Sequence, residues 1–212
     1  MARPRSFDEA AVLDAAMRAF WDGGYEATST RDLCAAVGLD RSSVYNAFDS
    51  KRGLFLRALA RYLDTMAAGQ LELLEDVGLS GFERVRALFD RIIESDAEAR
   101  RASGGQHTAL GCLGVNSTVE LAARDPDVAR LLDRDLARRH AALRAAVAAG
   151  QRAGDIRSPR APDDLARYVN TVIAGMRVAA QGGADSTALR AIASVALDGL
   201  NPAPSPAADP SG

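Results

Sequence analysis

The sequence predicts an all-α protein of about nine helices. An N-terminal three-helix, helix-turn-helix module is joined by a long fourth helix to a C-terminal helical body. Three observations predict this. Apolar residues recur at helical spacing along most of the chain, and no alternating strand pattern persists. Apolar residues make up 48% of the chain but aromatics only 5%, so Ala and Leu fill the interior as in helix bundles. The segment Thr28 to Phe55, TSTRDLCAAVGLDRSSVYNAFDSKRGLF, sets a Gly-containing turn between two short capped helices.

The first helix is expected over about Phe7 to Gly24. Leu13, Ala16, Met17 and Phe20 form one buried stripe, and Gly23-Gly24 ends it. Arg3 and Arg5 precede it in a short basic stub that suits a phosphate backbone or a minor groove. In the free chain such a stub is solvated. It has no apolar run and is not read as a signal peptide.

The second helix begins with the S-x-x-D capping pair Ser29 and Asp32, with Thr28 as an alternative cap. Leu33 and Val37 share one face, and Gly38 suits a left-handed closing residue. Leu39 anchors the turn. Asp40 caps the third helix, where its charge also suits the helix dipole. Val44 and Phe48 point inward. Arg41, Ser42, Ser43, Tyr45 and Asn46 take the other faces, and these groups bond phosphates and base edges.

This segment resembles the DNA-binding region of the TetR family of bacterial transcription regulators. The matching residues are Gly24-Tyr25, Thr28-Ser29, Gly38-Leu39, Tyr45, Phe48, Ser50-Lys51 and Leu54-Phe55, about the first quarter of the chain. The resemblance implies three short helices, a connecting fourth, and a helical body that binds a ligand and forms a dimer. It implies that Tyr45 and Lys51 hold backbone phosphates while Arg41, Ser42, Ser43 and Asn46 face the groove. Thr28, Ser29, Arg3 and Arg5 complete the expected contact set. The family often has His where Asn46 and Ala47 stand, so no operator preference carries over.

The fourth helix is expected over Ser50 to about Glu75, with Phe55, Leu59, Tyr62, Leu63 and Met66 on one stripe. A fifth follows over Ser80 to Ala97, with Phe82, Val85, Phe89 and Ile92 inward. Residues 100–108 read as a loop, and Leu110 to Ala123 as a buried helix of small apolar residues. Pro126 opens a long Arg-rich helix to about Ala153, carrying Val128, Leu131, Leu132, Leu136, Leu143 and Val147. Helices over Pro162 to Gln181 and Ala184 to Leu200 complete the body. The boundaries implied are a DNA-binding module over 1–50, an effector-binding and dimerisation body over 51–200, and a Pro-rich disordered tail over 201–212.

Two functions are expected of the body. Val169, Ile173, Met176, Ala180, Ile192, Ala196 and Leu200 exceed what one packed face needs, and a homodimer interface across a two-fold axis accounts for them. Paired modules then reach successive major grooves. Polar residues inside an apolar middle suggest a pocket for a small organic effector, with Met66, Phe89, Cys112, Asn116, Met176 and Arg177 as its candidates.

Charge and motif content bound the alternatives. The net charge is −2, but residues 1–62 hold nine basic and eight acidic side chains, net +1, against 17 and 20 in the rest. A mildly basic module needs its cations on one face, with Arg3, Arg5, Arg41, Lys51 and Arg52 as that cluster. Two cysteines, Cys34 and Cys112, make no disulfide framework, so the cytoplasm is the expected compartment. No apolar run spans a membrane, no Cys/His cluster has metal spacing, and no nucleophile elbow or phosphate loop occurs. Neither an enzyme nor a cofactor is expected. The rival readings are a helical small-molecule-binding protein or enzyme with a vestigial DNA-binding motif, and a thiol-based redox regulator using Cys112.

Overall fold

A computed structural model describes residues 7–102 and 111–201. Those residues form nine helices: α1 Glu9–Gly23, α2 Thr30–Val37, α3 Arg41–Phe48, α4 Lys51–Glu75, α5 Gly81–Ala102, α6 Leu113–Glu120, α7 Pro126–Ala153, α8 Pro162–Gln181 and α9 Ser186–Leu200. The all-α class and the helical order follow the sequence reading. The stub with Arg3 and Arg5, the Gly104-Gly105 segment with His107, and the tail beyond Asn201 lie outside the described residues.

Helix ends are set by local chemistry. Asp8, Ser29, Asp40, Ser50, Asp125 and Asp185 each accept backbone N–H bonds at a helix start. Such a cap contributes about 1 kcal/mol. Pro126 and Pro162 occupy first turns, where a missing N–H costs nothing. The largest differences from expectation are in α5 and α6, the latter shorter at both ends, Leu113–Glu120 against Leu110–Ala123. α5 continues to Ala102 rather than ending at Ala97, because Arg100 ties the extra turn down. Its guanidinium pairs with Asp96 at 2.7 Å and donates to the carbonyls of Ala180 and Ala184, each at 2.8 Å. α6 starts only at Leu113, with Cys112 as its cap residue rather than an interior one.

Two hydrophobic clusters hold the helices. The first joins α1, α2 and α3 to the first half of α4 and is closed by Leu113, Leu121 and Val128 from the body. Phe20 and Tyr25 both pack on Phe55, with centroids 5.0 and 4.8 Å away. The second lies among α5, α7, α8 and α9, around Phe89, Leu143, Val169 and Leu189. α4 contributes to both, Leu54 to Leu63 in the first and Leu74 in the second. α5 and α7 meet with little room between them: a Cβ on Gly81 would lie 2.5 Å from the Gly150 backbone.

The apolar stripes of α8 and α9 face this second cluster. Val169, Ile173, Met176, Ala180, Ala196 and Leu200, expected to pair with a second chain, are instead buried within the protomer. Only Ile192 of that set is exposed, at 37%. The outward face carries Tyr168, Val178, Ile192 and Val195, the last 69% exposed. Apolar residues stand on both faces of these helices; packing of α8 on α7 and of α9 on α5 and α8 claims the inward one.

Candidate nucleic-acid interface and body cavity

The turn between α2 and α3 is built as the capping signals suggest. Ser29 Oγ accepts the Asp32 N–H at 3.2 Å, and the Ser29 N–H reaches Asp32 Oδ2 at 3.1 Å. Gly38 sits at φ 67°, a left-handed geometry that closes α2 without a Cβ penalty. Asp40 Oδ1 accepts the Ser43 N–H and the Ser42 hydroxyl, both at 2.7 Å, and these bonds hold its carboxyl below the ordinary range. Val44 and Phe48 are buried. Arg41, Ser42 and Asn46 are exposed, and Ser43 and Tyr45 half-buried. α3 therefore presents a polar outer face that nothing else in the described protomer occupies.

Tyr45 and Lys51 bracket the start of α2. The Arg41 guanidinium stands 5.4 Å from the Tyr45 ring, and hydrogen bonds from Arg41 and Thr30 lower the phenol from its usual value. Lys51 Nζ lies 4.4 Å from the Tyr25 ring and donates to the Glu26 carbonyl at 3.5 Å. An ammonium and a phenol on either side of residues 26–30, next to exposed donors on α3, can grip a backbone while the helix reads base edges.

Three expected contact residues have other occupations. Thr28 is 6% exposed and its hydroxyl donates to the Gly24 carbonyl at 2.6 Å, so it closes the α1–α2 turn rather than facing outward. The Ser29 hydroxyl donates to Asp32 Oδ2 at 2.6 Å and is spent within the capping box. Arg52 turns away from the outer face. Its Nε bonds Asp125 Oδ2 at 2.7 Å, and Nη2 bonds Asp125 Oδ1 at 2.7 Å and Asp127 Oδ2 at 2.5 Å. That grip lowers the Asp125 pKa to about 2.

The joint between module and body rests on carboxylates that periodicity does not reveal. Glu120, the last residue of α6, accepts the Tyr25 N–H at 3.1 Å and the Glu26 N–H at 2.8 Å. Together with Asp125 it ties the α6–α7 corner to both the α1–α2 turn and the start of α4. In sequence Glu120 stood out only as a polar residue in an apolar helix. Its partners lie 94 and 95 positions away, beyond any local signal.

A cavity of about 330 Å³ opens between α4, α6, α7 and α8. Met66, Cys112 and Arg177 line it, as expected. Phe89 and Met176 do not: both are fully enclosed in the second hydrophobic cluster. Asn116 does not either. With α6 beginning at Leu113, its cavity face is Gly114, Val115, Thr118 and Val119, which leaves Asn116 to one side. Sequence reasoning missed Tyr62, Gln70 and the ion pair of Asp135 with Arg139, 2.8 Å apart, all at the wall. The Tyr62 hydroxyl donates to Cys112 Sγ at 3.3 Å, and burial raises its pKa well above the ordinary value. Among the described residues no group of three His, Cys, Asp or Glu side chains is placed to hold a metal, and no helix is long and apolar enough to cross a membrane.

Comparison with known proteins agrees across the chain. A family model described as bacterial regulatory proteins, tetR family, matches residues 12–58, and a tetracyclin repressor-like C-terminal domain model matches residues 81–196. The chain is 32% identical over 195 residues to the HTH-type transcriptional repressor ComR of Escherichia coli, covering 92% of this chain and 90% of ComR. It is 36% identical over 134 residues to an uncharacterized HTH-type transcriptional regulator, YezE of Bacillus subtilis, covering 63% of this chain and 65% of YezE. Among solved structures, a cysteine-substituted TetR family regulator, CifR, in complex with 26-bp double-strand operator DNA matches with a TM-score of 0.77 and 28% identity. That match covers 94% of this chain and all of the CifR chain.

Proposed function

The chain belongs to the TetR family of bacterial transcriptional regulators, and from that membership we propose that it is a repressor that binds a pseudo-palindromic operator as a homodimer and leaves it when a small organic effector enters the body cavity. The observation that carries this reading is the open polar face of α3, capped at one end by Asp40 and anchored on its inner side by Val44 and Phe48. In this reading Arg41, Ser42, Ser43 and Asn46 enter the major groove, and Tyr45 and Lys51 hold the flanking phosphates. The outward face of α8 and α9, with Tyr168, Val178, Ile192 and Val195, is the surface left for a second copy.

Effector response needs two arrangements of the dimer with different spacing between the two α3 helices. The effector shifts their populations only as far as it prefers the non-binding one. α6 and α4 are suited to transmit that preference. Each has one stretch at the cavity wall and another bonded to the DNA-binding module, Glu120 of α6 to the Tyr25 and Glu26 amides and Arg61 of α4 to Asp14 of α1. Fluorescence anisotropy with labelled DNA flanking the chain's own gene, at about 100 mM salt, tests the reading. Saturable binding by the dimer supports it; binding no tighter than to unrelated DNA sinks it.

The bond from the Tyr62 hydroxyl to Cys112 Sγ favours a second reading, in which the Cys112 thiol is the responsive group. Operator binding of the Cys34→Ser variant, titrated with hydrogen peroxide, separates the two. Loss of binding that disappears on adding Cys112→Ser supports the thiol, and indifference to peroxide removes it.

A further inference from the structure

The cavity wall holds two polar side chains whose bonding capacity the described protein leaves unused. Gln70 is only 8% exposed, lines the cavity, and makes no hydrogen bond among the described residues. Its amide atoms are not sealed off, so they open onto the cavity, where a ligand can take up their donor and acceptor. Arg177 also lines the cavity, half-buried, and no carboxylate among the described residues pairs with it. The other cavity arginine, Arg139, is neutralised by Asp135. Asp133 at the rim is exposed, where solvent screens its charge.

The two unused groups sit apart. Arg177 is close enough to act electrostatically on the Tyr62 hydroxyl. Tyr62, Met66 and Gln70 follow one another on a single face of α4, and eight residues of helix separate the first and last by ~12 Å. Between them lie Leu63, Met66, Leu132, Ile173 and Ala174, together with the Asp135–Arg139 ion pair, whose Asp135 Oδ1 is buried without a hydrogen bond. The cavity thus offers an unpaired cation at Arg177 and an amide at Gln70, with apolar side chains and a neutralised ion pair between them.

Resting on the effector reading above, the geometry points to an elongated organic acid as the ligand: a carboxylate on Arg177, an apolar body along Met66 and Leu132, and a second hydrogen-bonding atom at Gln70. A guanidinium offers a carboxylate two parallel N–H donors, a match that neutral amides and amines lack.

The test uses the full-length protein and three probes, octanoate, octanamide and 8-hydroxyoctanoate. Binding is followed by the fluorescence of Trp21, the single tryptophan, whose ring meets Tyr62 at the cavity wall. Octanoate is expected to bind roughly tenfold or more tighter than octanamide, the scale of one charge-assisted hydrogen bond. Arg177→Lys keeps that preference and Arg177→Gln abolishes it. 8-hydroxyoctanoate binds a few-fold tighter than octanoate, and Gln70→Leu removes the gain. Equal or tighter binding of octanamide overturns the inference, as does an acid preference that survives Arg177→Gln. Operator release measured in the same samples separates the two failures. If octanamide releases DNA and octanoate does not, the effector reading stands and the acid falls. If no probe binds a protein that still holds its operator, the acid falls and the effector reading is untouched.

Discussion

Trp21 meets Tyr62 edge to face, with ring centroids 5.0 Å apart and planes inclined at 72°. One residue belongs to α1 of the DNA-binding module and the other to the cavity wall. A ligand that displaces Tyr62 presses directly on that module, with no intervening side chain. The same contact gives the effector reading a built-in optical signal.

Lys51→Ala and Tyr45→Phe should weaken binding to all DNA sequences alike, with the Lys51 variant lowering the salt slope by about one. Arg41→Ala and Asn46→Ala should instead change the ranking of sites, each costing about 1–3 kcal/mol at the preferred one. Anisotropy titrations against a mapped operator and a set of its single-base variants distinguish the two patterns. Unchanged binding in all four variants would refute the assignment.

Thr28→Val should lower stability by about 1–2 kcal/mol, because the Gly24 carbonyl loses its 2.6 Å partner in a buried turn. It should leave the ranking of DNA sites alone, since the hydroxyl faces inward. Urea unfolding measures the first effect, and the same site panel the second. A re-ordered panel would return Thr28 to the contact surface.

Arg52→Ala should matter above about pH 4 and progressively less below it. The folded-state Asp125 carboxyl is held at about 2 against an ordinary value of 3.8. A depressed carboxyl pKa stabilises the fold above the unfolded value, and that contribution fades as pH falls through the folded one. Without the guanidinium the largest cause of that depression is lost, and only the backbone N–H bonds from Val128 and Asp127 remain to lower it. The stability gap between parent and variant, measured by denaturant unfolding at several pH values, should therefore close between about pH 4 and pH 2. A gap independent of pH would mean that Arg52 contributes by packing alone.

Val195→Glu should give a folded monomer. Its side chain is 69% exposed on the outward face of α9, so the charge harms no core contact. Sedimentation should report the single chain, and operator affinity should fall by about 10²-fold or more as the two half-sites are no longer bound together. A dimer that survives the charge would move the interface elsewhere.

Much of the DNA-binding module was legible in the sequence because its signals are local. Ser29, Gly38, Asp40 and Phe48 each act on neighbours within a turn or two of helix, and they were read correctly. What stayed hidden depends on packing across long separations. Arg52 looked like one more cation beside Lys51 until α7 brought Asp125 and Asp127 to it. Thr28 and a true surface threonine are the same in sequence; only the Gly24 carbonyl decides. In α8 and α9 the helical period is correct, but it cannot say which of two apolar faces the protomer keeps, and Met176 went inward. In α6 the docking of the helix on α4, α7 and α8 turns Val115 and Thr118 to the cavity and Asn116 off it, a choice periodicity does not reveal.

Glu120 bears on how such proteins are recombined. Its carboxylate holds two backbone amides of the α1–α2 turn, and it is supplied by the other half of the chain. An N-terminal fragment cut after α4 would carry those amides bare and leave Arg52 without its counter-ion. A chimera that transplants this head onto a foreign sensor would inherit the same deficit. A portable head therefore needs the stretch from Leu113 to Val128 as well, which closes its core and supplies Glu120, Asp125 and Asp127.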